Sequence, residues 1–243
     1  MTQGIAFFDF DDTLQPFDPC SRMALERSCR AFSLPFDEQV YQQYRQLNHE
    51  LWRRQKAGEL SVEEVMKRRF QLFLKDYGQA QLAEDLNQRY ISELSCCVSK
   101  EPGSDEVLAR LSRQYELFIC SNGRLAEKRS RIELAGWTAY FKDLFVSDDI
   151  GFDKPDPRYF ERCLQRSRYS ADEVLFIGDS WTADILGARR AGLPAIWYCA
   201  HSCSEQDIVP VGDSELDSIL CVKQLTELLP MLDQKTVKLS GHS

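Results

Sequence analysis

Short apolar runs that end in polar clusters recur along this chain. Residues 5–10, 115–120, 144–147, 173–178 and 194–198 are apolar without strict alternation, the pattern of strands buried on both faces of a parallel sheet. Between them, residues 103–114, 124–136, 156–167 and 181–191 place apolar side chains at helical spacing. Strands alternating with helices in this way predict an open α/β sheet joined by right-handed crossovers. The first connection breaks the rule. From Gln15 to Val98 the pattern is helical throughout, with helices expected near 19–33, 37–57, 61–77 and 80–94 and breaks at Pro35, Gly58 and Gly78. A crossover needs far fewer residues, so this block is expected to be an inserted helical subdomain over the sheet's active edge. The predicted division is an α/β core of residues 1–15 and 99–243 and a helical subdomain of residues 16–98. After residue 200 come a polar stretch, a possible last strand at 218–221, a helix near 222–233 and a loose tail.

Composition narrows the class without naming the chemistry. A chain of 243 residues can bury a large core, and a formal net charge of −8 leaves no overall electrostatic footprint for a nucleic acid polymer. No apolar run is long enough to cross a membrane. The nine cysteines include no Cys-x-x-Cys pair. With an odd count and no secretory leader, they are expected to be reduced thiols in a cytoplasmic protein, a monomer or homodimer. Cys120 reads as a small buried filler, and Cys96-Cys97, at the expected junction of helical block and core, has no electropositive setting.

Four clusters at the ends of the apolar runs carry candidate chemistry. In Asp9-Phe10-Asp11-Asp12-Thr13, the carboxylates of Asp9 and Asp11 are two residues apart at a strand end, where both project to one side. Their repulsion is tolerable when a divalent cation or a shared proton relieves it. Asp9 is placed as a nucleophile and Asp11 as its acid/base partner, the alternative being a turn or helix cap. Ser121-Asn122-Gly123 ends a second strand, and a hydroxyl with backbone N–H groups at a helix start can cradle an anion, although the same residues also make ordinary turns. Lys154, in Asp153-Lys154-Pro155-Asp156-Pro157 ahead of a helix, could neutralise phosphate or remain a solvated loop lysine. Gly178-Asp179 ends another strand, with Asp184 five residues on; Asp179 could ligate a metal or cap the helix, and Asp184 could hold metal-bound water or brace the lysine.

Taken together and in this order, the four clusters resemble the motifs of the haloacid dehalogenase superfamily: DxDx[TV], Ser or Thr, Lys, and GDxxxxD. The match covers residues 5–14 and about 99–200, and the helical insertion is similar to that superfamily's C1 cap. Asp12 stands where many members have Gly. The resemblance implies a Rossmann-like sheet of order 5-4-1-2-3, bringing the strands of Asp9, Ser121 and Asp179 side by side at the reversal in strand order, where open α/β sheets bind ligands. It also implies a Mg²⁺-dependent phosphatase that works through an aspartyl-phosphate. The metal set would be Asp9, Asp11 through its backbone carbonyl, Asp179 and Asp184; Ser121, Asn122, Gly123 and Lys154 would bind phosphate; and a protonated Asp11 would serve the leaving group.

The implied substrate is a small phosphomonoester, with a nucleoside 5′-monophosphate favoured and a sugar phosphate or a phosphomutase reaction as alternatives. Dehalogenases of this superfamily lack the second acid of the first motif, which Asp11 supplies here. A non-catalytic scaffold on the same fold is the remaining alternative. Tyr41, Tyr44, Trp52 and Phe70 could stack a base or pack the helical block, and one or two of Arg45, Glu50, Arg53, Arg54 and Lys56 could reach the substrate.

Overall fold

The apolar run at the head of the chain becomes β1 (Gly4–Phe8), an interior strand of a six-stranded parallel sheet in the computed structural model, which describes residues 4–200 and 219–233. Four helices follow: α1 (Phe17–Ala31), α2 (Glu38–Lys56), α3 (Val62–Phe73) and α4 (Ala83–Ser95). The chain then alternates through α5 (Ser104–Leu111), β2 (Tyr115–Ser121), α6 (Leu125–Leu134), β3 (Phe141–Val146), the short α7 (Ser147–Ile150), α8 (Pro157–Ser167) and β4 (Val174–Gly178). A π-helical turn (Trp181–Leu186) leads into α9 (Gly187–Arg190), then β5 (Ala195–Tyr198), β6 (Leu220–Val222) and α10 (Leu228–Asp233).

The sheet order is β3-β2-β1-β4-β5-β6. This contains the expected 5-4-1-2-3 arrangement and extends it by β6 beyond β5. The expected strand at 218–221 is realised as β6, which begins two residues later and ends one later; the polar stretch at 201–218 and the tail from 234 lie outside the described residues.

Side-chain alternation explains why the strands read as continuously apolar. Ala6 and Phe8 pack with Leu117, Ile119, Leu175 and Ile177 against α5, α6 and α10, while Ile5 and Phe7 pack with Phe118 and Phe176 against α8 and α9. Full burial of one such phenylalanine contributes roughly 1.5–3 kcal/mol, so both faces of β1 tie the middle of the sheet to its helical layers.

Helices α1 to α4 bury a core of their own, in which Tyr44 stacks on Phe70 with ring centroids 5.4 Å apart. Local chemistry sets their ends. Asp37 caps α2 by accepting from the Val40 N–H at 2.8 Å, and Ser61 with Glu64 forms a capping box at α3. The block meets the sheet domain through short polar contacts: the Gln55 amide donates to the Lys154 carbonyl at 2.9 Å, the Val62 N–H donates to Asp153 at 2.9 Å, and the Ser130 hydroxyl donates to the Ser95 carbonyl at 2.8 Å. Tyr41, Tyr44 and Phe70 are core residues of this block, which leaves only Trp52 of the four proposed stacking aromatics partly exposed.

Three local expectations change. β1 stops at Phe8 rather than residue 10, because the next residues turn back: the N–H groups of Leu14 and Gln15 both donate to the Phe10 carbonyl. β3 begins at Phe141 rather than residue 144. Cys199 and Cys221 are disulfide-bonded, joining the end of β5 to β6, so the expectation that every cysteine is a reduced thiol is corrected for this pair. Cys20, Cys29, Cys96, Cys97, Cys120 and Cys163 are free, and Cys203 lies outside the described residues. Among the described residues, no helix is long and apolar enough to cross a membrane.

Candidate active site

Strand register places the site. Phe8 pairs with Ile119 of β2 on one side and with Ile177 of β4 on the other. The residues that follow each partner therefore leave the sheet together: Asp9 after Phe8, Cys120 and Ser121 after Ile119, Gly178 and Asp179 after Ile177. The Asp9 N–H still donates to the Ile177 carbonyl at 2.8 Å, which holds the first motif against β4 as the sheet ends. Asp12 sits in left-handed backbone, φ 58°, a conformation that glycine adopts freely and aspartate tolerates better than most residues. Its carboxylate accepts from the Phe17 N–H at 2.8 Å and so tethers the start of α1.

Lys154 joins the acids. Its ammonium donates to Asp9 Oδ1 at 2.6 Å, to Asp184 Oδ1 at 2.7 Å and to the Cys120 carbonyl at 2.8 Å, using all three of its protons. The Asn122 amide fixes the lysine's backbone from both sides, accepting from the Lys154 N–H at 2.8 Å and donating to its carbonyl at 2.9 Å. Asp184 reaches back from the π-helical turn, where the N–H groups of both Asp184 and Ile185 converge on the Ser180 carbonyl, and its second oxygen accepts from the Ser180 N–H at 2.9 Å. Gly178 makes room for that carboxylate: a Cβ there would lie 2.5–2.7 Å from the Asp184 side chain.

One oxygen each of Asp9, Asp179 and Asp184 lie within 4.8 Å of one another. Thr13 bridges two of these acids, its hydroxyl 3.1 Å from Asp179 Oδ1 and 3.4 Å from Asp9 Oδ2. Burial pushes the Asp9 carboxyl up to about 6, with Lys154 pulling against that rise and Asp184 adding to it. Burial, followed by the charges of Asp9 and Asp184, holds Asp179 well above the usual carboxylate range. Burial alone would lower Lys154, but Asp184 and Asp9 outweigh it and the ammonium is held strongly charged. Three converging carboxylates against one lysine leave unbalanced negative charge in an all-oxygen donor set, which fits a hard divalent cation such as Mg²⁺.

Asp11 stands apart from that trio. Its carboxylate bonds to the Lys128 ammonium and, at 2.7 Å, to the Arg131 guanidinium. Burial pushes its acid up, yet these two cations outweigh burial and hold it below the usual range, so Asp11 rests ionised where the sequence-based mechanism expects it protonated. Ser121 is buried, its hydroxyl 3.3 Å from the Asn122 carbonyl, and the Gly123 N–H donates to Ser147 Oγ at 3.0 Å rather than facing open space.

Sequence reasoning missed Glu127, Lys128 and Arg131. Their signal was present in α6, where the positions that a core-facing helix would fill with apolar residues carry charge instead. Gln55 and Thr13 had no such signal, since one lies in a polar helix and the other inside a motif already explained by its acids.

The family described as haloacid dehalogenase-like hydrolase matches over residues 6–198. The HAD-hydrolase YfnB of Bacillus subtilis is 35% identical over 191 residues, 78% of this chain and 81% of that protein. Its magnesium-bound crystal structure, described as revealing interdomain movement, superposes with a TM-score of 0.83 at 31% identity, covering 96% of this chain and all of that one. The pyrimidine 5′-nucleotidase PynA of Streptococcus pneumoniae is 32% identical, covering 80% of this chain and 83% of the relative. The pyrimidine 5′-nucleotidase YjjG of Escherichia coli is 28% identical, covering 88% and 96%.

Proposed function

Because this chain belongs to the haloacid dehalogenase-like hydrolases, we propose that it is a Mg²⁺-dependent phosphomonoester hydrolase that transfers the phosphoryl group to Asp9 and then to water. The observation that carries this reading is the convergence of Asp9, Asp179 and Asp184 within 4.8 Å, beside a lysine that bonds to two of them. Asp9, Asp179 and Asp184, with the Asp11 backbone carbonyl, would hold the ion, which when bound supplies positive charge against the phosphate and its carboxylate attacker.

The chain's own residues account for the remaining chemistry. Lys154 holds Asp9 through one oxygen and adds positive charge where the transferring phosphoryl group gathers negative charge. Ser121 offers a buried hydroxyl to a phosphate oxygen. The Asp9 carboxylate attacks phosphorus, the bond to the leaving oxygen breaks, and Asp11 passes that oxygen a proton. Asp11 is ionised at rest, so this proton arrives with the substrate; a phosphate monoester, whose second ionisation lies near about 6, carries one in part at neutral pH. Water then attacks the phosphorylated Asp9 while Asp11 accepts its proton and passes it to the departing phosphate, which leaves as dihydrogen phosphate and so restores both carboxylates.

The names of PynA and YjjG favour a pyrimidine nucleoside 5′-monophosphate as substrate. With Tyr41, Tyr44 and Phe70 buried, Trp52 is the aromatic left to meet a base. In this reading helices α1 to α4 act as a cap, and the enzyme works on small soluble metabolites in the cytoplasm as a monomer or homodimer. The test is phosphate release from a panel of nucleotides and sugar phosphates with and without Mg²⁺. Release that requires the ion and disappears in Asp9→Asn supports the reading; no release from any substrate rejects it.

A further inference from the structure

Four charged side chains close a ring beside the first motif. Arg131 Nη1 donates to Asp11 at 2.7 Å and to Glu127 at 2.8 Å; the Lys128 ammonium bonds to Asp11 and, at 2.9 Å, to the other oxygen of Glu127. Each acid touches both cations, and the ring carries no net charge. Arg131 also donates to the Gln15 side chain at 3.2 Å, and both cations lie over the ring of buried Phe10, at 4.9 and 5.4 Å from its centroid. Lys128, Arg131 and Glu127 are almost fully buried, whereas the Asp11 side chain is 24% exposed. The ring is thus a buried base with one carboxylate at the open side.

Packing alone does not call for this arrangement. Apolar side chains would fix α6 to the sheet without desolvating two cations and an extra acid, a cost that ion pairing only partly offsets. What the ring adds is control of one carboxylate. Asp11 is two residues from Asp9, yet both of its oxygens are held by α6, away from the Asp9, Asp179 and Asp184 trio. We propose that Lys128 and Arg131 are positioning residues for Asp11, clamping its carboxylate in the orientation from which it activates water against phosphorylated Asp9. The inference rests on the phosphatase reading above.

The experiment separates formation of the phosphoenzyme from its breakdown. With p-nitrophenyl phosphate the leaving group departs without an acid, so formation does not need Asp11 and breakdown does. In rapid-mixing experiments with Mg²⁺, Lys128→Gln and Arg131→Gln keep a fast burst of nitrophenol, while the steady rate falls about 100-fold, the loss of one general base. Intact-protein mass spectrometry then finds Asp9 phosphorylated in most molecules. The charge-balanced double variant Glu127→Gln/Lys128→Gln repeats the test in a chain that leaves no buried acid without its cation. A steady rate close to wild type overturns the proposal, and so does equal slowing of both phases without phosphoenzyme accumulating, which is the signature of general damage to the fold. If the wild-type enzyme releases phosphate neither from p-nitrophenyl phosphate nor from any nucleotide or sugar phosphate, the phosphatase reading fails; if it turns over and the variants show no split, only the positioning role fails.

Discussion

At the residue scale the site depends on a few atoms with no spare room. Gly178→Ala puts a methyl group where the Asp184 carboxylate lies, with Asp184 Cβ itself 2.7 Å from the new atom, so the whole side chain must move rather than only its tip. Lys154 then loses one of its two acids. The expected outcome is a folded protein whose Mg²⁺ requirement rises at least about tenfold, equivalent to roughly 1.4 kcal/mol of lost ion binding, read from activity against Mg²⁺ concentration; an unchanged requirement would show that Asp184 plays no part in holding the ion. Asp9→Asn keeps the shape but removes the charge of the proposed nucleophile, and phosphate release should fall to background while the melting temperature stays near or above that of wild type, because burial of that carboxylate together with repulsion from Asp184 outweighs its attraction to Lys154. The acids and Lys154 were legible from their order along the chain, each at a strand end or before a helix. Their partners were not, since Thr13, Gln55, Lys128 and Arg131 acquire meaning only through neighbours more than a hundred residues away in three of the four cases.

At the element scale the alternation of strands and helices was readable because both faces of the sheet are buried and its longer helices other than α6 show an apolar face. The boundaries that moved did so where hydrogen bonds outside the pattern intervene. The first strand ends early because Phe10's carbonyl collects two N–H groups, and the expected helix at 181–191 opens as a π-helical turn because Asp184 is drawn back to Lys154 and the Ser180 N–H. The contact between α2 and the Lys154 loop carries a prediction of its own. Gln55 is buried at the end of α2, donating to the Lys154 carbonyl and lying 3.4 Å from the Asn122 amide. In Gln55→Ala the carbonyl keeps its bond from Asn122, so the loss is about 1 kcal/mol of stability, a melting-temperature fall of roughly 2–4 °C. KM for the preferred substrate should rise while the burst with p-nitrophenyl phosphate is retained, since the helical block seats less firmly but the phosphoryl-transfer groups stay in place. A fall in the burst rate with KM unchanged would instead assign Gln55 to the chemistry of Lys154.

At the scale of the whole molecule, the folded chain gathers acids that its unfolded form keeps apart. Asp9, Asp179 and Asp184 come from segments 170 residues apart at the first step, and Lys154 balances only part of their charge. An ion that binds this cluster therefore stabilises the native state alone. At a Mg²⁺ concentration one hundred times the dissociation constant the gain is about 2.7 kcal/mol, a rise in melting temperature of roughly 5–10 °C for a chain of this size. Addition of a chelator should reverse it. Asp179→Asn is the discriminating variant, because Asp179 is the member of the trio with no bond to Lys154: its loss relieves repulsion, so the ion-free protein should melt higher than wild type while gaining little from Mg²⁺. Opposite changes in these two quantities would tie the acids to the ion rather than to packing. Equal stabilisation of wild type and variant would mean that Mg²⁺ acts elsewhere, and the convergence of the three carboxylates would then need another explanation.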